Sequence, residues 1–262
     1  MTDTTHDQTD ILDLDAEVLA EHIAAITAWL PVDARPRHIV DFGAGTGTGT
    51  FALLTRFPDA HVTAVDSSAE HLRRLAEKAG ELGVADRVRT VQADLDGTWP
   101  DLGTPDLVWA SASLHHLADP DHALRRVRDL LAPGGLFAVV ELAGFPRFLP
   151  AGTPESALEE RCHAAVEHHH TEHMPHRGAD WGVKLVAAGF TLDGERTVTV
   201  DLDRSDAVGR YALTSFRRIR GAVADLLPAE DLAALDRLLD GLPNRDDLGV
   251  RTERTVWAAR QP

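Results

Sequence analysis

The sequence predicts an α/β protein built on an open, doubly wound sheet. Three observations predict it. Short apolar strands alternate with helices from about residue 37 to 142. The first strand, through Val40-Asp41-Phe42, runs straight into Gly43-Ala44-Gly45-Thr46-Gly47 and then a helix. Two later strands, in Ala60–Asp66 and Val88–Asp94, each end in an acid. Such alternation implies parallel strands joined by right-handed crossovers. Open sheets of this kind bind ligands outside the carboxyl ends of their strands, where all these motifs fall.

The elements follow in order. The first ten residues are polar and acidic and read as a mobile tail. Leu14 to Leu30 reads as one amphipathic helix, with Leu14, Val18, Ile23, Ile26 and Leu30 as its apolar face and Pro31 as its stop. Strands are predicted near 37–42, 61–66, 87–92, 105–110 and 135–142, and helices near 48–57, 68–82 and 120–131. Pro133-Gly134-Gly135 closes the last of these helices. Beyond Leu142 the alternation breaks. A Gly-, Pro- and Phe-rich linker over 143–154 leads into a helix from Pro154 to about His173. A short helix, Trp181–Ala188, precedes a strand at Thr197–Leu202. Ser205–Leu239 is helical with a break at Pro228, and Thr252–Ala259 is a final strand.

Length and composition bound the function. At 262 residues, 44% hydrophobic and 26% charged, the chain can bury a substantial core. Its net charge of −16 argues against nucleic acid as a partner, because tracking phosphates needs a basic face. Arg217, Arg218 and Arg220 read as a solvated helix face. Cys162 is the only cysteine, so an intramolecular disulfide and a cysteine metal cluster are excluded. No apolar run is long enough for a membrane, and no leader segment is legible, so a cytoplasmic protein without a membrane partner is expected. A homodimer is compatible with the sequence.

The glycine spacing decides between ligands. A dinucleotide fingerprint, G-x-G-x-x-G, started at Gly43 or Gly45 would need its third glycine at Thr48 or Thr50. A phosphate-binding loop would need a following lysine, and none is near. What stands is D-x-G-x-G-x-G from Asp41 to Gly47. This resembles the first motif of class I S-adenosylmethionine-dependent methyltransferases, closely over about residues 37–142. The resemblance implies a Rossmann-like sheet of six parallel strands and one antiparallel strand. It implies a core over 11–142, 180–202 and 250–262, with helical cap insertions at 143–179 and 203–249. In the family the helix before the first strand often lies over the cofactor.

The resemblance also implies site residues. S-adenosylmethionine is the expected cofactor and S-adenosylhomocysteine the product. Gly43, Ala44, Gly45 and Gly47 are expected around its methionine part, with Asp41 orienting the turn. Asp66, followed by Ser67, is expected to take the ribose hydroxyls, and Asp94 and Leu95 to meet the adenine. Ala110 and Ser111 are expected beneath the sulfonium. Family members that methylate base or amide nitrogens carry Asn/Asp-Pro-Pro-Tyr/Phe after the fourth strand. This chain has Ser111-Ala112-Ser113-Leu114-His115-His116-Leu117, which looks like enzymes of small metabolites, quinones and natural products in secondary metabolism.

Methyl transfer from a sulfonium is an in-line displacement, so alignment and exclusion of water are its main demands. A protonated acceptor adds the need for a base. His115 and His116 are the nearest imidazoles to the expected methyl, and each competes with a structural role. A second group, His163, His168, His169, His170, His173 and His176, falls in the first insertion. His169 and His173 share a helix face there, and His169 is the candidate base. A solvated face competes with that role. With a single cysteine and no clear carboxylate partner, no metal site is expected. Phe145, Phe148, Trp181, Tyr211 and Phe216 are candidate pocket aromatics, with core packing as the competing role. The expected reaction is methylation of a small organic acceptor, at O before N or C. Methylation of a carbon flanked by carbonyls remains open, as does a cofactor-binding protein without turnover.

Overall fold

The computed structural model describes the backbone of residues 2–32 and 34–262, and the side chains of all of these except 2–8 and 169–173. The chain divides into two compact units. The larger holds residues 21–142, 176–198 and 254–262; the smaller holds 1–20, 143–175 and 199–253.

The larger unit carries the alternation. Its strands are β1 (His38–Phe42), β2 (His61–Asp66), β3 (Val88–Gln92), β4 (Leu107–Ser111) and β5 (Leu136–Leu142). Its helices are α2 (Ala20–Trp29), α3 (Thr48–Arg56), α4 (Ala69–Glu81), α5 (Pro120–Leu130) and α7 (Trp181–Ala187), with α1 (Thr2–Val18) and α6 (Pro154–His173) lying in the smaller unit. Caps fix the helix starts. Ser68 Oγ accepts the His71 N–H, and Asp119 accepts the His122 N–H with Pro120 in the first turn. Asp180 does the same for α7 through the Val183 N–H. β1, β4 and β5 are almost wholly buried, as strands covered on both faces are.

Two strands, β6 (Thr191–Asp203) and β7 (Gly249–Arg260), complete the sheet. Among the described residues its order is β3-β2-β1-β4-β5-β7-β6. The pairings β1–β2, β1–β4, β2–β3 and β4–β5 are parallel, and β7 runs antiparallel to β5. β6 starts six residues before the predicted Thr197. It is an edge strand, and its early half is polar and charged, with Asp193 holding Arg260 at 2.7 Å. Charge on an edge strand hides it from a search for apolar alternation.

The smaller unit holds α1 (Thr2–Val18), α6 (Pro154–His173), α8 (Asp206–Ala222) and α9 (Ala229–Gly241). α1 is tied to α8 by Tyr211 donating to Asp15 at 2.8 Å and by Arg210 on Glu17. Glu159, fully buried on α6, accepts the Phe148 and Leu149 N–H groups and so holds the segment before α6. Burial pushes its carboxyl up, against those two bonds.

The single helix predicted over 14–30 is therefore two, α1 and α2, broken at Leu19. α1 has partners of its own on α8, through Asp15 with Tyr211 and Glu17 with Arg210, which the local apolar pattern does not show. α1 begins at Thr2, inside the predicted tail, and Thr9 is already buried. It belongs with the segments read as insertions, whereas the sequence placed 11–30 with the core.

Candidate active site

The site is built where the strand order reverses. β1 has β2 on one side and β4 on the other, so the crossovers leaving β1 and β4 part to opposite sides. A crevice opens at the carboxyl ends of strands at such a point. The loop 43–47 stands there. Gly43, Gly45 and Gly47 all have positive φ, at 66°, 54° and 98°. That conformation suits glycine and strains other residues. A Cβ on Gly43 would also lie 2.3 Å from Cβ of Ser113. The Gly43 and Ala44 N–H groups donate to Val65 O, and the Gly47 N–H to Ala44 O.

Two acids set the loop's electrostatics. Asp41, buried near the end of β1, accepts the Thr50 hydroxyl at 2.6 Å. Burial is the largest influence on its carboxyl, and with the nearby Asp66 charge it outweighs that bond, so the pKa is pushed up to about 7. Asp66, at the end of β2, behaves oppositely. Burial acts to raise it, but bonds from His71, the Ser68 N–H and the Gly45 N–H together hold it below the usual carboxylate range. Ser67 beside it is exposed, and its carbonyl accepts from Gln92.

Asp94 is exposed just past β3, and its carboxylate accepts the Asp96 N–H. Leu95 is half-buried; its carbonyl accepts from Trp99, whose ring Arg126 overlies at 3.8 Å. Ala110 is buried in β4 opposite Phe42, and Ser111 ends that strand.

After β4 the chain turns sharply. Ala112 has φ +50°, the one non-glycine with positive φ among the described residues. Ser113 Oγ then donates to Phe42 O at 3.0 Å, joining this loop to the glycine loop. A single 3-10 turn, Leu114–His116, follows. His115 is buried, and its Nδ1 lies 2.6 Å from Glu141 Oε2. The other oxygen of Glu141, also buried, accepts the Leu114 N–H at 3.0 Å. His116 is exposed and its ring lies 4.2 Å from that of His115. So the two histidines, set together by the sequence, differ in environment. Glu141 was missed by sequence reasoning, although an acid inside the apolar run Leu136–Leu142 is a legible signal. Ser113 and Thr50 were missed too, and carry no comparable signal.

Other expected residues lie elsewhere. The side chains of His169, His170 and His173 lie outside the described residues, so the candidate base in the first insertion is among those the structure leaves undescribed. Trp181 is core of the larger unit and Phe216 core of the smaller. Phe145, Phe148 and Tyr211 line a cavity in the smaller unit.

An S-adenosyl cofactor fits the glycine loop on two observations. Gly43, Gly45 and Gly47 stand within five residues at positive φ, so the loop presents backbone without side chains that a ligand can approach closely. The buried Thr46 hydroxyl has no hydrogen-bond partner among the described residues, and a buried polar group without a partner calls for one.

Sheet order, glycine loop and strand-end acids define the class: the fold is that of the Rossmann-like class I methyltransferases. Residues 40–137 match the family model described as a methyltransferase domain. The trans-aconitate 2-methyltransferase of Methylobacterium radiotolerans is 40% identical over 118 residues, covering 44% of this chain and 42% of that protein. The malonyl-[acyl-carrier protein] O-methyltransferase of Halorhodospira halophila is 34% identical over 172 residues, covering 63% and 53%. The chain thus spans about half, or less, of the length of these relatives. The structure of a geranyl diphosphate methyltransferase in complex with SAM superposes with a TM-score of 0.53 at 18% identity, covering 92% of this chain and 85% of that one. Among the described residues no helix is long and apolar enough to cross a membrane.

Proposed function

We propose that the protein transfers the methyl group of S-adenosylmethionine to a small organic acceptor, at oxygen. One observation carries this: a three-glycine loop with positive φ stands at the β1/β4 reversal, pinned by Ser113. The cofactor supplies a methyl group on a sulfonium, already charged and a good leaving group. Gly43, Ala44, Gly45 and Gly47 give backbone where the methionine part lies. Asp66 holds that loop through the Gly45 N–H, and with three bonds made it retains limited capacity for ribose hydroxyls. Asp94 and Leu95 face the adenine, and Ala110 and Ser111 the sulfonium.

His115 is the proton acceptor this reading favours over its exposed neighbour. Glu141 accepts from Nδ1–H, which fixes the tautomer that leaves the Nε2 lone pair bare. A base worth about 10²–10⁴-fold suits a hydroxyl acceptor, whereas a carboxylic acid is already ionised near pH 7 and needs only alignment. The relatives' names, one of them an O-methyltransferase, support a small or carrier-bound acid or alcohol as acceptor.

The test is transfer of tritium from methyl-labelled S-adenosylmethionine to a panel of small alcohols, phenols and carboxylic acids. Radioactivity extracted with one acceptor, and lost on base hydrolysis for an ester, supports the reading. Tight cofactor binding with no transfer across the panel would favour a binder without turnover.

A further inference from the structure

The smaller unit contains a cavity of about 220 Å³. It is lined from the loop before α6 by Phe145 and Phe148, from α6 by His163, and from α8 by Tyr211, Ser215 and Arg218. The α8 residues return every three or four positions, so one helix face forms a wall. Two ring pairs shape the walls. Phe145 and His163 stack at 5.0 Å with their planes 26° apart, and Phe148 meets Tyr211 edge-on at 5.2 Å. Flat aromatic walls favour a flat apolar guest.

The one formal cation in the lining is Arg218, which is exposed. Of the other arginines on α8, Arg210 is engaged with Glu17 and Arg220 with Asp236, while Arg217 lies outside the lining. Arg218 makes no hydrogen bond or ion pair among the described residues. In a chain with 42 acids against 26 bases, a guanidinium left over at the edge of an apolar cavity is a ready anion partner. Its planar fork matches a carboxylate through two parallel bonds. The volume lies below the roughly 300–1,000 Å³ of drug-sized pockets, so the guest is compact.

From this the geometry points to a binding site for a flat, apolar carboxylic acid, its ring system between the aromatic walls and its carboxylate on Arg218. The inference deepens the methyl-transfer reading: the ligand's role as acceptor rests on that reading, whereas the binding itself does not.

The experiment is calorimetric titration of the full chain with 2-naphthoate and, separately, with neutral 2-naphthylmethanol. Each protein is also titrated with S-adenosylhomocysteine. Arg218→Ala, at an exposed position, should weaken 2-naphthoate by about tenfold or more, the usual size for a charged hydrogen bond, and leave the alcohol unchanged. Ala222→Trp, which fills the cavity from an exposed position, should abolish both. Neither should alter S-adenosylhomocysteine binding. No 2-naphthoate binding by the wild type, or equal binding by Arg218→Ala, overturns the site even if the cofactor product binds. Binding of 2-naphthoate without S-adenosylhomocysteine would keep the site and remove the methyl-transfer reading instead.

Discussion

Asp41 and Asp66 stand near the ends of neighbouring strands and titrate in opposite directions, because only one has donors enough. Thr50 alone cannot offset the burial of Asp41, so its folded pKa of about 7 lies above the ordinary 3.8. A raised carboxyl contributes stability that is fully present below about pH 3.8 and is lost as pH rises through 7. Asp41→Asn keeps an acceptor for Thr50 and cannot ionise. The wild type should therefore lose stability relative to this variant between pH 4 and 8, on the order of a few kcal/mol. Urea unfolding of both proteins at the two pH values checks this; a constant difference would mean that Asp41 ionises normally. Asp66 was legible as a strand-end acid, but the bonds it makes within the chain were not. The Gly45 N–H and His71 reach it only because the chain folds back, which spacing alone does not reveal.

At the scale of the element, the segment from Ser111 to Leu117 has the most to test. Ala112 holds a left-handed conformation without the freedom of glycine. Ala112→Gly should raise stability, by up to about 1 kcal/mol, measured as a higher Tm. Glu141 supports the same segment. Glu141→Ala leaves the buried Leu114 N–H and His115 without their acceptor and should cost about 1–3 kcal/mol in urea unfolding. Glu141→Gln separates structure from chemistry. Its amide can still serve Leu114 while donating to His115 Nδ1, which reverses the tautomer. The expected result is a near-native unfolding midpoint with methyl transfer to a protonated acceptor down about 10²-fold or more. Unchanged transfer would give His115 a structural role only. Helices and strands with clear caps and apolar runs, such as α4, α5 and β5, were legible to within a few residues. The split at Leu19 and the charged half of β6 were not, since in both places partners distant in sequence set the structure.

For the whole molecule, the parallel pairing of β1 to β5 and the glycine loop at the end of β1 agree with what 37–142 alone implied, and residues 40–137 are the span the family match covers. The rest was less legible. Helices in both insertions could be read from their patterns, but not that residues 1–20 join them in one unit. That grouping depends on Asp15 and Glu17 meeting α8 almost two hundred residues away. Everything proposed about chemistry rests on the glycine loop holding an S-adenosyl ligand. The most direct test is calorimetric titration of the wild type and of Gly43→Val with S-adenosylhomocysteine. The account predicts micromolar binding by the wild type. It predicts none by the variant, whose Cβ has no space beside Ser113 and whose φ is strained. Absence of binding by the wild type, or undiminished binding by a folded Gly43→Val, would contradict it.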